Sequence, residues 1–305
     1  MKLPTFPEFI KIRDLDEHSI QQFIQNLQPY SDLNFSNIWS WNIDGSFKAA
    51  ELNGNLVLFM RDTKSKEFFL CLAGTNEVNG TLAEIFEIID QSDISQTLAL
   101  IPEETAALVN QNLFSVSEDR DSFDYVYSTE LLSTLPGRKY KSKRHLINQF
   151  TESHPNFEIL HKKLTPAVKL EILQFMSYEN RKRAASGYTP FVEYEMAALE
   201  HFFLLPENEK IIVSLLYCDQ KLIGFTIDEI QFSSFVLSHF FKVNSDHKYR
   251  GVYDALNTSV AKYFYSNNLV YWNWVEDLGS EGLRQAKMSY RPIKMLKKYT
   301  IIKRI

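Results

Sequence analysis

The sequence predicts an α/β protein of the α+β type, built from two tandem lobes, each a mixed, mostly antiparallel sheet flanked by helices. Three observations predict this. The chain has 305 residues, long for one hydrophobic core when single domains run to roughly 100–150 residues. Short alternating or fully apolar runs interleave with helical stripes along its whole length. The order of these elements in the first half then recurs in the second.

The first half opens with FIKIRDL (9–15), an alternating strand pattern that ends at Asp14 and Asp16, residues suited to capping a helix. EHSIQQFIQNLQPY follows, with Ile20, Phe23, Ile24 and Leu27 on one helical stripe and Pro29 closing it. DLNFSNIWSWN is a second short amphipathic stretch. Asn53-Gly54 then divides two strand-like runs, a strong hairpin signal because both turn residues must take positive φ. EFFLCLAG reads as a buried strand, TLAEIFEIID as a helix, TLALIP as a strand, EETAALVNQN as a helix and FDYVYS as the last strand of the lobe.

The same order restarts at residue 157. FEILHKKL is a strand, and TPAVKLEILQFMSYENR is a helix with Pro166 in its opening turn. YEMAALEHFFLLP is a helix closed by Pro206, and a hairpin turns at Asp219-Gln220-Lys221. SSFVLSHFFKV, GVYDALNTSVAKYFYSNN, LVYWNWV, SEGLRQAKMSY and YTIIKRI complete a strand, helix, strand, helix, strand sequence. The expected division is a first lobe at 1–130, a basic connector with a bridging helix at 131–154, and a second lobe at 155–305.

Composition points to a folded protein of a reducing compartment. Apolar residues make up 45% and charged residues 23%, which is ordinary globular composition. The N-terminus has no signal-peptide pattern and no run reaches the roughly 18–20 apolar residues of a membrane helix, so a soluble cytoplasmic chain is expected. Cys71 and Cys218 sit singly in apolar runs, as buried thiols do. The seven histidines show no metal-ligand spacing, and neither a P-loop nor a dinucleotide fingerprint is present. Charge is uneven: residues 1–130 carry 8 basic and 21 acidic side chains, and residues 131–305 carry 25 and 17. Such asymmetry suits a second half that meets an anionic ligand, or two lobes that attract one another.

The element order matches that of the GNAT acyltransferase fold, and tandem GNAT lobes resemble the Fem-type aminoacyl-tRNA-dependent transferases. Two long segments, VYSTELLSTLPGRKYKSKRHLINQF and VEDLGSEGLRQAKMSYRPIKMLKKY, are similar to the signatures of the phosphatidylglycerol lysyltransferase C-terminal-domain family. NFSNIWSWN and EYEMAALEHF fit it as well. The resemblance implies transfer of an acyl or aminoacyl group from an activated donor, aminoacyl-tRNA or acyl-CoA, to a small-molecule or peptide amine or to a hydroxyl. The chain departs from the family pattern in HFFKV, with Phe241 where an acid precedes the lysine, and in NWVEDLG, with Trp274 and Val275 in place of an arginine and a carboxylate. Those departures keep open an alternative, a catalytically silent ligand-binding or regulatory protein on the same scaffold.

Candidate site residues follow from both lines. In HKYRGVYDAL, the residues Lys248, Arg250, Gly251 and Tyr253 precede or open a helix, and such a terminus with two cations suits a donor diphosphate. A solvated surface turn has the same composition. Arg138, Lys139, Lys141, Lys143 and Arg144 crowd the connector and suit tRNA or another phosphate-bearing donor, or a solvated helix face. A β-bulge amide near Lys242-Val243 is expected to face the oxyanion. Glu276 or Asp277 is the expected base, with Glu195 as a further carboxylate, although Asp277 also suits a helix cap. Asn273, Arg284, Lys287, His239 and Tyr290 are the expected pocket residues, although His239, in an apolar strand, suits a core better than a ligand site. In the first lobe the corresponding turn, AGTNEVNG, has only Gly74 and Gly80 around an acid and no cation, and the lobe reads as a non-catalytic copy.

Overall fold

A computed structural model describes residues 2–62, 65–91, 94–185, 192–232 and 234–304. The chain forms two compact units: 1–124 with 276–281 and 295–305, and 125–275 with 282–294. The first carries 12 basic and 23 acidic side chains, and the second 21 and 15.

The first unit contains β1 (Ile10–Lys11), α1 (Glu17–Ile24), α2 (Phe35–Trp41), β2 (Lys48–Leu52), β3 (Asn55–Arg61), β4 (Phe68–Ala73), α3 (Val78–Ile89), β5 (Thr97–Pro102), α4 (Glu103–Ala106) and β6 (Phe114–Glu118). Asp16 caps α1 by accepting from the Ser19 amide, as its position predicts. Asn53 (φ 52°) and Gly54 (φ 75°) make the two-residue turn between β2 and β3. Strands β1 to β4 form one sheet in chain order. The core packs Leu70 and Leu72 of β4 against Leu82, Ile85, Phe86 and Ile89 of α3.

Three expectations are corrected in this unit. FIKIRDL pairs only over Ile10–Lys11 and then turns as a short 3-10 helix at Ile12–Asp14. The helix expected over EETAALVNQN stops after Ala106, because the Asn79 side chain donates to the Leu108 carbonyl and accepts from the Asn110 amide. Strand β6, FSVSE, lies in a stretch the sequence reading left without an element.

The second unit begins with β7 (Asp124–Ser128) and continues through α5 (Thr129–Thr134), α6 (Lys141–Ser153), β8 (Phe157–Lys162), α7 (Pro166–Ala185), α8 (Val192–Phe202), β9 (Ile211–Cys218), β10 (Lys221–Phe232), β11 (Phe235–Val243), α9 (Val252–Ser266), β12 (Tyr271–Asn273) and α10 (Glu281–Ser289). After these come β13 (Lys294–Leu296) and β14 (Lys298–Lys303). The large sheet runs β13-β7-β12-β11-β10-β9-β8. Asp219 (φ 49°) and Gln220 (φ 66°) alone form the turn between β9 and β10.

The last strand of each half lies in the sheet of the other half's unit. FDYVYS, expected to close the first lobe, supplies β7, which pairs antiparallel with β12. YTIIKRI, expected to close the second, supplies β14, which lies between β5 and β6 in the first unit. Both segments are alternating apolar strands, and alternation specifies burial on one face without specifying the partner.

Gly251 caps α9 at φ +88°, and a Cβ there would lie 2.1 Å from the Leu146 carbonyl oxygen of α6. The obstacle is backbone and cannot rotate away. Gly251→Ala is expected to destabilise the protein by about 2 kcal/mol, from strain and from separation of α9 and α6. Urea unfolding checks this, and a loss within 0.5 kcal/mol of zero would refute the packing account.

Candidate functional site

In the second unit the pairing of β11 with β12 is short. β11 and β12 run parallel and pair over Phe235–Leu237 and Tyr271–Asn273. Beyond that point β11 continues to Val243 paired with β10, whereas the chain after Asn273 turns to β7, the Trp274 amide donating to the Tyr125 carbonyl at 2.9 Å. The two strands therefore part, and β11 from Ser238 onward has no β12 residue paired beside it; this gap between the strands is the candidate cleft. The bulge in β11 falls at His239, since Ile227 pairs Phe240 while Asp228 pairs Ser238. It was expected at Lys242-Val243, which pair regularly with Phe225 and Gly224. His239 is instead a core residue, its Nε2 2.8 Å from Glu229 Oε2, both side chains buried.

The α9 side of the cleft is aromatic. Phe241 stacks on Tyr253 at 4.4 Å and runs near-parallel to Trp272 at 6.3 Å. Trp274 packs against Trp272 at 5.2 Å, Tyr290 at 5.1 Å and Tyr127 at 4.0 Å. Phe241 and Tyr253 are half-buried, while the two tryptophans are buried behind them. Tyr290 donates to Asp254 Oδ1 at 2.5 Å, and Lys143 reaches the same oxygen at 3.5 Å while lying 3.7 Å over the Tyr290 ring. Burial raises the Tyr290 hydroxyl pKa, so it stays a donor. Lys143, expected on a phosphate, is thus committed to a buried carboxylate.

The turn before α9 is placed as the sequence suggests. His247–Tyr249 form a short 3-10 helix, Lys248 and Arg250 are exposed, and Tyr249 is buried. Glu179 of α7 holds the preceding loop, accepting from the Ser245 amide at 3.2 Å and hydroxyl at 2.9 Å. Of the connector cations, Arg138, Lys139 and Lys141 are exposed, whereas Arg144 donates to the carbonyls of Leu135 and Gly137 and closes the end of α5.

The other candidates divide between the units. Glu195 of α8 lies 2.5 Å from Lys242 of β11, each side chain 20% exposed. Asn273 is buried and accepts from the Val275 amide, and Lys287 donates to the carbonyls of Trp274 and Val275. Both therefore fix the strand where it leaves β11. Arg284 is half-buried on α10. Glu276 and Asp277 belong to the first unit. There Asp277 is buried, accepts from the Gly279 amide at 2.9 Å and pairs with Arg120 at 3.3 Å, the bonds of a turn-forming residue. Glu276 accepts from the Ser31 hydroxyl at 3.4 Å.

Asp228 and Asp254 are site carboxylates the sequence reading missed; each sits in an apolar run, and their partners Trp272 and Tyr290 are distant in sequence. Asp228 is fully buried and accepts from Thr226 at 2.5 Å and from the Trp272 indole at 3.0 Å. Burial pushes its carboxyl up to about 7, against those hydrogen bonds. Because the folded carboxyl holds its proton to a higher pH than the unfolded one, this group makes stability fall as pH rises from about 4 to 7. Asp228→Asn is expected to flatten the slope of unfolding free energy in that window by up to about 1.4 kcal/mol per pH unit. Urea titrations at several pH values test it; an unchanged slope would contradict the assignment. A separate concavity of about 620 Å³, lined by Asn156, Glu158, Tyr217 and Asp219, lies on β8 and β9 and contains no candidate residue. Among the described residues no group of three or more His, Cys, Asp or Glu could hold a metal ion, and no helix is long and apolar enough to cross a membrane.

Each unit thus sets helices against sheet, and in the second the parallel pair β11–β12 parts beside the Gly251-capped helix α9. A family model described as phosphatidylglycerol lysyltransferase, C-terminal, matches residues 24–302. The chain belongs to that family. A conserved protein of unknown function from Bacteroides thetaiotaomicron superposes with a TM-score of 0.78 at 25% identity, covering 97% of this chain and 99% of the other. L-PGS from Bacillus licheniformis superposes with a TM-score of 0.61 at 13% identity, covering 94% and 91%, and supports the fold alone. An uncharacterized protein of Mycoplasmoides gallisepticum is 24% identical over 182 residues, 59% of this chain and 56% of that relative. The match thus spans little more than half the length of that relative.

Proposed function

We propose that the protein moves an acyl or aminoacyl group from an activated donor, aminoacyl-tRNA or acyl-CoA, to an amine or hydroxyl of a small molecule or peptide. The observation that carries this is the end of β11–β12 pairing at Leu237 and Asn273, on a strand whose Phe241 stacks on Tyr253 of α9, with Lys248 and Arg250 exposed at the turn before that helix. In acyl transfer the donor carbonyl must be held while its oxygen gains charge, and the freed backbone edge of β11 offers amides for that purpose. Lys248 and Arg250 supply charge for the donor's phosphates, with Arg138, Lys139 and Lys141 extending the cationic surface where the donor is a nucleic acid.

An attacking ammonium must first lose a proton. Glu195 takes that role in this proposal, since it lies at 2.5 Å from Lys242 on the open segment of β11 and keeps partial exposure. Thermal unfolding of the whole chain with acetyl-CoA, longer acyl-CoAs and a charged-tRNA pool tests the donor class. A donor at 100 times its Kd adds about 2.7 kcal/mol of stability. Stabilisation by acyl-CoA alone assigns an N- or O-acyltransferase, and stabilisation by charged tRNA alone assigns an aminoacyltransferase. No shift with either would defeat the transferase assignment and favour the silent binder.

A further inference from the structure

Resting on the transferase assignment, we infer that the group carried into the β11–β12 cleft is an uncharged, apolar or aromatic acyl or aminoacyl side chain, not a lysyl-type ammonium. Phe241 and Tyr253 present half-buried ring surface there, backed by Trp272, Trp274 and Tyr290. Apolar contact of this kind rewards each buried methylene and gives an ammonium nothing to balance its charge.

Rings can attract cations, so the charge balance around the cluster decides the matter. One ammonium is already present: Lys143 lies 3.7 Å over the Tyr290 ring. The carboxylate that neutralises it, Asp254, is shared between Lys143 and the Tyr290 hydroxyl. Asp228, the other buried carboxyl on this side of the sheet, accepts from Thr226 and from the Trp272 indole. A second ammonium would therefore meet a like charge and two carboxyl groups already bonded.

The orphaned polar atoms agree. Trp274 is 5% exposed and its indole N–H has no acceptor among the described residues. A buried donor without a partner is costly, a cost recovered by a ligand oxygen but not by an ammonium, which can only donate. Asn257, one helical turn beyond Tyr253, is 1% exposed, and neither of its side-chain amide atoms has a partner among the described residues. It is neutral and balances no charge. The wall thus favours a flat or branched apolar group bearing at most an acceptor.

The test compares donors that differ in the charge of the carried group, using the full chain. Phenylalanyl-tRNA and leucyl-tRNA compete against lysyl-tRNA in filter binding, and hexanoyl-CoA competes against 6-aminohexanoyl-CoA in calorimetry. The expected result is at least a tenfold preference for the uncharged member in whichever pair binds. Phe241→Leu should retain that preference, and Phe241→Glu should narrow or invert it. Equal or tighter binding of the lysyl or aminohexanoyl donor by the wild-type chain overturns the inference while leaving the transferase assignment standing. If no member of either pair binds, the transferase assignment itself fails and takes the inference with it.

Discussion

Replacing Lys298 by methionine is expected to cost the protein roughly 3–5 kcal/mol at pH 8, the range found when one partner of a buried ion pair is removed. Lys298 lies on β14 with 1% of its surface exposed, and its ammonium donates to Asp124 at 2.8 Å, to the Ser31 hydroxyl at 3.1 Å and to Asp32. Asp124 also accepts from the amide and hydroxyl of Ser31, both at 2.7 Å. Methionine fills the same volume but leaves the carboxylates facing one another with no cation. Burial already pushes the Asp32 carboxyl up to about 6, with Lys298 opposing the rise. Without the ammonium it rises further, and protonation becomes the cheapest relief. The folded variant then binds a proton that the unfolded chain, near its ordinary 3.8, does not. Its deficit must therefore shrink as pH falls toward 5 and grow as pH rises. Urea unfolding at pH 5 and pH 8 measures this directly. A pH-independent deficit, or one below about 1 kcal/mol, would show that the pair is neither desolvated nor coupled as described. Adding Asp124→Asn to the variant should recover part of the loss, because the uncompensated charge is what costs.

Much of the fold was legible where a local rule governs it. Asp16 caps a helix because its side chain reaches the Ser19 amide three residues on, and Asn53-Gly54 turns because both residues accept positive φ. What stayed hidden was partner choice. FDYVYS and YTIIKRI each announce a half-buried strand, yet nothing in either says that it joins the sheet of the other half's unit. The cleft was partly visible: the turn at Lys248–Gly251 was placed, and Tyr253 and Tyr290 were named. The assembly of its wall was not, because Phe241, Tyr253, Trp274 and Tyr290 are far apart in sequence and become neighbours only in the fold. The pairing of Lys143 with Asp254 was equally invisible. A cation in a basic run reads as solvated or phosphate-bound until a carboxylate from another helix is seen beneath it. Glycine misleads in the same way: Gly251 looked like room for a phosphate, and its missing side chain is used by the Leu146 carbonyl.

Glu195→Gln separates a chemical role from a structural one at the cleft. The substitution keeps size and hydrogen-bonding capacity while removing the charge that takes a proton. On the proposed mechanism the transfer rate falls roughly 10²-fold or more at neutral pH, as general-base removal typically costs 10²–10⁴-fold, while donor affinity is unchanged. For an amine acceptor the deficit should shrink as pH approaches the acceptor's own pKa, because solvent then performs the deprotonation that Glu195 otherwise would. If instead Glu195 serves only to hold Lys242, from which it lies 2.5 Å away, the glutamine variant should lose donor affinity or stability along with rate, and the deficit should not depend on pH. The pair is partly exposed, so as a structural ion pair it contributes little, about 1 kcal/mol or less. A large rate loss with intact unfolding behaviour therefore cannot come from the salt bridge alone. A rate within twofold of wild type would remove Glu195 from the mechanism.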